Sequence, residues 1–344
     1  MMLAARLRGP RKILIEEMER PAPGPGEVLV EVAAVSLCHS DISFFNFTRK
    51  EFRDPEFGLI LGHEVSGRIA ELGAGVEGLT VGQPLALDPS HHCGQCDMCR
   101  AGHSNLCRTL AFFAYPPTHG ALQQYLVSPP SLVLPLPEGM SLEEGAMVEP
   151  VSVAVQAVGQ AGIRPGQNAV VQGLGAIGLS IVQVLRAYGI DEVIGIEPIA
   201  FRREFAAAHG APVVVETAEQ ALEWISARGR RGAQFVFETA GTEESTEEAV
   251  ALADRAGVVV IVGIIPSDEF RFTQSVARGK ELTILFARRA NDTMREALRL
   301  IAEGEVKVSD YTTHTFPFAQ VEQAYLLSEE RPPGLLRAVV RVDQ

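Results

Sequence analysis

The stretch that most narrows what this chain can become is Gly173-Leu174-Gly175-Ala176-Ile177-Gly178. Three glycines at this spacing are weak evidence alone. Here a short apolar run at 168–172 precedes them, a helical pattern at 179–188 follows, and a second apolar run at 192–196 ends in Glu197. Strand, glycine turn, helix and strand in that order are what a dinucleotide-binding unit needs. The glycines let the backbone approach a pyrophosphate at the helix N-terminus, where amide hydrogens lack partners. Gly173, Gly175, Ala176, Ile177 and Gly178 are the expected contacts. Glu197 is placed to accept hydrogen bonds from the adenosine ribose, and its charge repels a 2′-phosphate, so NAD is expected over NADP. Arg202 and Arg203 lie nearby and work against that preference.

The alternation continues, with strands expected at 234–237 and 258–262 and a helix at 244–253. Repeated βα units imply an α/β fold with a parallel sheet and ligands at its carboxyl edge. Thr239-Ala240-Gly241 and Gly263-Ile264 fall just past two such edges. They are either cofactor contacts or plain loop residues. A strand at 282–285, an amphipathic helix at 294–303 and a closing strand at 336–342 complete the pattern.

At 344 residues the chain is long enough for two domains. Its formal net charge of −13, without a basic run, argues against nucleic acid or an anionic membrane surface as partner. The longest apolar run, 258–265, is too short to span a bilayer, and residues 1–15 lack a signal-peptide apolar core. A cytoplasmic protein is expected. In that compartment its 5 cysteines read as metal ligands rather than disulfides.

Four of them form Cys93-x-x-Cys96-x-x-Cys99 with Cys107. Four thiolates so spaced can close a tetrahedron around one zinc ion, which leaves no room for substrate and makes the role structural. Unrelated buried thiols and an iron–sulfur cluster are the other readings. The fifth, Cys38, follows a strand expected at 28–35 and opens Cys38-His39-Ser40-Asp41. Gly62-His63-Glu64 lies downstream, and Glu149-Pro150 further on. Cys38, His63 and Glu64 offer sulfur, nitrogen and oxygen donors with room for an exchangeable position, as a catalytic zinc requires. Asp41 is suited to orient an imidazole from behind. The plain alternative is a turn with a surface histidine.

Gly62-His63-Glu64-x-x-Gly67 with Gly73 and Val76 resembles the signature of the zinc-containing medium-chain alcohol dehydrogenases, and Cys38-x-Ser40-Asp41 resembles their first zinc-ligand segment. The cysteine cluster matches their structural-zinc lobe. Gly82-Gln83-Pro84 departs from the usual Gly-Asp. The segments 111–117 and 120–122 resemble sorbitol dehydrogenases more than the simple alcohol dehydrogenases. Glu149 stands where alcohol dehydrogenases often carry cysteine and polyol dehydrogenases carry glutamate before proline. Its other reading is a helix N-terminal carboxylate, since 152–159 reads as a helix. Arg288 and Asn291 match a sorbitol-dehydrogenase register, while Arg289 replaces the usual tyrosine.

The resemblance implies a GroES-like β-barrel catalytic domain at 1–152, with the structural-zinc lobe at about 88–110. A Rossmann domain at 153–289 and a return to the catalytic domain at 290–344 complete it, with the active site between the domains. It implies two zinc ions and NAD. Cys38, His63 and Glu64 hold the catalytic ion, with Glu149 bound directly or through water, and Ser40 and His39 carry the proton. It also implies nicotinamide contacts at Thr239, Gly263 and Ile264. Phe44 and Phe112 are pocket walls or core aromatics, and Arg288 is a polyol contact or a solvated side chain. The expected reaction is hydride transfer from a secondary alcohol, a polyol first, with a simple secondary alcohol or threonine as alternatives. An inactive NAD-binding structural relative is the non-enzyme reading. A homo-oligomer, tetramer or dimer, is expected.

Overall fold

The computed structural model describes residues 1–48, 54–265 and 267–344. The chain divides into two compact units, one formed by Met1–Glu149 with Val308–Gln344 and the other by Pro150–Lys307.

The first unit is organised on the strand Val28–Ser36, which is buried at every position except Glu31. Alternation at Val28, Val30 and Val32 suggests one buried face. Both faces are in fact covered, because the short helix Leu142–Ala146 lies against this strand and its neighbour Glu64–Leu72. Val28–Ser36 pairs antiparallel with Glu64–Leu72 along its length, with Tyr125–Ser128 at its start and with Arg337–Arg341 at its end. Pro84–Leu87, Val133–Pro135 and Thr312–Pro317 extend the sheet to seven strands. The last strand of the chain thus lies beside the one that leads into Cys38.

The second unit holds a six-stranded parallel sheet in the order Val213–Val215, Glu192–Ile196, Asn168–Gln172, Ala233–Glu238, Ala253–Ile261 and Thr283–Phe286. The chain builds outward from Asn168–Gln172 on one side, then crosses over and builds outward on the other. The reversal falls between Asn168–Gln172 and Ala233–Glu238, the position where open α/β sheets bind ligands. The helix expected at 152–159 runs Val148–Ala161, with Glu149 and Pro150 in its first turn. Proline is tolerated there because its missing amide hydrogen has no helical acceptor.

Two boundaries differ from the sequence reading, and residues 150–152 fall in the second unit. Residues 290–307 stay with the second unit, and the chain re-enters the first at Val308. The helix Met294–Ala302 is held there at both ends. Thr293 Oγ1 donates to the Ser152 carbonyl at 2.8 Å, Tyr188 donates to Glu296 at 3.2 Å, and Lys307 N donates to Gln183 Oε1 at 2.7 Å. Its apolar face was legible, but the pattern does not say which unit covers it.

Candidate functional site

Cys38 lies two residues past the strand Val28–Ser36 and caps the helix His39–Phe45. Glu64 begins the neighbouring strand, and the antiparallel register sets Ser36 opposite Glu64. The strand pairing therefore carries Cys38 to His63-Glu64, and one donor atom from each of Cys38, His63 and Glu64 lies within 4.8 Å of the others. Gly62 makes the approach possible. Its φ is 89°, and an added Cβ would lie 2.7 Å from Val35 Cγ1.

Each donor has a fixed partner. Asp41 Oδ1 faces His63 Nδ1 at 3.2 Å, leaving the other ring nitrogen for a ligand. Ser40 Oγ donates to Cys38 Sγ at 3.3 Å, so the expected proton carrier is bonded to the candidate donor sulfur. Arg337 Nη1 donates to Glu64 Oε1 at 3.1 Å. Glu64 Oε2 is buried without a hydrogen-bond partner among the described residues. A buried orphan acceptor is costly, and a cation in front of it removes the cost.

The charge balance points the same way. Burial disfavours a charged imidazole, yet Asp41 and Cys38 beside it hold His63 well above its ordinary pKa. Glu149, buried in its helix's first turn, is pushed up to about 7 by burial, with His63 pulling it down and Glu64 pushing it up. A pocket with this surplus of negative groups fits a divalent cation. The soft sulfur, imidazole and carboxylate set suits zinc. The close cluster comprises Cys38, His63 and Glu64; Glu149 acts on it electrostatically.

Cys93, Cys96, Cys99 and Cys107 also bring one sulfur each within 4.8 Å of the rest, and none forms a disulfide. Cys96 Sγ lies 3.5 Å from Cys99 Sγ, and Cys107 Sγ lies 3.5 Å from Cys93 Sγ. The lobe around them has a four-residue helix, Asp97–Arg100, with no buried side chain. Such a segment needs a cross-link other than a core, and a four-thiolate metal supplies one.

In the second unit Gly173 has φ 82° and turns the chain off its strand. Gly175 caps the helix Ala176–Ala187 with no side-chain hydrogen bond, and a Cβ there would meet nothing within 4 Å. The first amide hydrogens of this helix have no helical acceptor, an arrangement suited to an anion. Gly178 serves packing: its added Cβ would lie 1.8 Å from the Gly173 carbonyl oxygen. Glu197 Oε2 accepts from Leu174 N at 2.8 Å and Oε1 from Ile199 N at 3.0 Å, so this carboxylate ties the glycine loop to the strand end. Arg203 donates to the Glu197 and Pro198 carbonyls and pairs with Glu216, while Arg202 is half-buried one position earlier. Thr239 Oγ1 donates to the Gln172 and Gly173 carbonyls, joining the two strand ends at the reversal. Gly263 packs on Gly241, and Ile264 is exposed.

Phe112 packs its ring 5.3 Å from the His63 imidazole, whereas Phe44 sits in the core cluster against Tyr115. Arg288 is exposed in the second unit. His39 is exposed beside the half-buried Ser40. Three buried polar residues escaped sequence reasoning. Arg337 was legible only as a charge opening an apolar strand, and Tyr325 only as one aromatic on a mixed helix. Glu238 accepts from Gly241 N at 2.7 Å and Ser245 Oγ at 2.8 Å, and gave no signal beyond an acid at a strand end.

Residues 24–138 match the alcohol dehydrogenase GroES-like domain, and residues 176–303 match the zinc-binding dehydrogenase domain. The chain is 32% identical over 325 residues to a sorbitol dehydrogenase of Bacillus subtilis, covering 94% of this chain and 92% of that protein. It superposes with TM-score 0.94 and 30% identity on an Escherichia coli oxidoreductase/dehydrogenase of unknown specificity, covering 99% of both chains. It also superposes with TM-score 0.89 and 30% identity on an Escherichia coli enzyme described as a short chain alcohol dehydrogenase, in complex with NADH, again over 99% of both.

Proposed function

The chain belongs to the zinc-containing medium-chain dehydrogenase family, and on that premise we propose that it oxidises a secondary hydroxyl of a polyol with NAD as hydride acceptor. The observation that carries this reading is the convergence of Cys38, His63 and Glu64 within 4.8 Å, beside an orphaned carboxylate oxygen. Zinc bound there supplies Lewis acidity that makes a hydroxyl acidic near neutral pH, and NAD accepts the hydride.

The residues divide the work. Cys38, His63 and Glu64 hold the ion, and Glu149 adds a fourth donor, an oxygen, directly or through water. Asp41 fixes the His63 ring. Ser40 and His39 carry the hydroxyl proton outward, in order of rising exposure. Phe112 walls the substrate site. Arg288 serves the substrate hydroxyls as a planar fork of donors. The glycine loop and its helix N-terminus hold the pyrophosphate, Glu197 and Arg202 flank the adenosine ribose, and Thr239, Gly263 and Ile264 meet the nicotinamide half. Likeness to the sorbitol dehydrogenase, together with Glu149-Pro150, favours a polyol.

We read the enzyme as a cytoplasmic homo-oligomer. No helix among the described residues is long and apolar enough to cross a membrane. The outermost strand Thr283–Phe286 ends the parallel sheet with Phe286 60% exposed beside Phe270, which in turn packs on Phe272, an edge that supports pairing with a second copy. The deciding experiment is a reduction screen with NAD and NADP across C3 to C6 polyols, simple secondary alcohols and threonine, with and without a chelator. Chelator-sensitive NADH formation with polyols is expected. Turnover confined to threonine or simple alcohols would overturn the substrate class.

A further inference from the structure

Tyr325 is wholly buried, stacked on Phe45 with ring centroids 5.2 Å apart, in a core of apolar side chains. Phenylalanine would fill that space without a polar atom to satisfy. The hydroxyl donates to Asp41 Oδ2 at 3.1 Å. Asp41, itself buried, receives two donors on Oδ2, Tyr325 and Gly62 N, and turns Oδ1 toward His63 Nδ1 at 3.2 Å. Two donors on one oxygen fix the plane of the carboxylate. The other oxygen then fixes which His63 nitrogen carries the proton and which one is free for a metal.

The contact belongs to a larger clamp. The helix His39–Phe45 starts directly after Cys38. It meets the helix Val321–Glu330 through Asp41 with Tyr325, through Phe45 with Tyr325, and through Asn46 Nδ2 donating to Glu329 Oε1 at 2.6 Å. One helix near the chain's end thus bears on both the sulfur and the imidazole donor.

We propose that Tyr325 is a positioning residue for the metal ligand His63, acting through the Asp41 carboxylate that its hydroxyl holds in plane. The proposal rests on the reading of Cys38, His63 and Glu64 as a zinc site. Tyr325 touches neither metal nor substrate.

The test uses the zinc-loaded enzyme and follows zinc transfer to a chromogenic chelator, so its readout is independent of turnover. Tyr325→Phe keeps the ring and its packing. It is expected to release one of two zinc ions faster, by roughly tenfold, the low end of what loss of an outer partner costs. Zinc at the four-cysteine lobe is the internal control and should leave at the parent rate. Asp41→Asn should release the same ion faster still, and Tyr325→Phe combined with Asp41→Asn should be no faster than Asp41→Asn alone, because the hydroxyl acts only through that carboxylate. Phe45→Leu disturbs the stacked pair while leaving the hydroxyl, and should have the smaller effect. Parent-like release from Tyr325→Phe overturns the proposal. So does a double variant whose effects multiply, or a Phe45→Leu variant as fast as Tyr325→Phe. A parent enzyme with zinc only at the cysteine lobe overturns both this proposal and the reading beneath it, and the zinc count tells that case from failure of Tyr325 alone.

Discussion

Arg337 Nη1 donates to Glu64 Oε1 at 3.1 Å and to the Leu37 carbonyl at 2.8 Å, and both members of the ion pair are buried. The guanidinium therefore braces the carboxylate and the strand end that leads into Cys38.

Removing one side of a buried pair leaves an uncompensated charge and costs about 3–5 kcal/mol. Arg337→Met keeps much of the bulk and should lower the stability of zinc-free protein by that order in urea unfolding. Zinc beside Glu64 should recover part of the loss. An unchanged midpoint would show that the pair contributes nothing net.

His63→Ala removes the nitrogen donor and empties the space between Asp41 and the cluster. Turnover should disappear and bound zinc should fall from about two ions per chain to about one. NAD affinity, read by fluorescence titration, should stay at the parent value, because the glycine loop lies in the other unit. Retained turnover would sink the catalytic-zinc reading.

Cys96→Ser should also cost one zinc ion, but at the lobe. With no buried side chain in the helix Asp97–Arg100, the lobe should open and become the first site of limited proteolysis. A soluble, fully active, protease-resistant variant would count against a structural metal.

Gly178→Ala tests the dinucleotide cradle. The new Cβ would lie 1.8 Å from the Gly173 carbonyl oxygen and 2.7 Å from Thr239 Oγ1, so the helix must move away from the loop. Overpacking of this kind costs about 1–3 kcal/mol. KM for NAD should rise at least tenfold, a step of about 1.4 kcal/mol, with both zinc ions retained. An unchanged KM would place the cofactor elsewhere.

Glu238 gives a pH dependence with a defined sign. Burial raises its pKa above the ordinary carboxylate value, against the hydrogen bonds it receives from Gly241 and Ser245. The folded state thus holds this proton more tightly than the unfolded one, and the group's contribution to stability falls as pH rises from the unfolded pKa through the folded one. Glu238→Gln should flatten that part of the urea-midpoint profile above pH 4.5, the ordinary value. Parallel profiles for parent and variant would refute the assignment.

The sequence spoke most clearly where chemistry is compressed into a few neighbouring positions. The glycine loop, with a strand before it and a helix after, and the cysteine lobe were readable because spacing alone sets their geometry. Cys38 and His63-Glu64 were readable as donor types, and the Ser36–Glu64 pairing supplied their proximity. What stayed hidden depends on distant partners. Arg337, Tyr325 and Glu238 look ordinary in sequence, because burial is a property of the fold. Glu197 was legible as an acid at a strand end, but not as the acceptor of two backbone amides.

The contacts from Tyr325 to Asp41 and from Arg337 to Glu64 span 284 and 273 positions of sequence. A ribosome delivers Cys38 and His63 early, yet the side chains that hold their neighbours emerge only after all of Pro150–Lys307 has been made. A nascent chain therefore cannot finish this centre, and a polypeptide cut short by about twenty residues would lack both braces while keeping every proposed metal ligand.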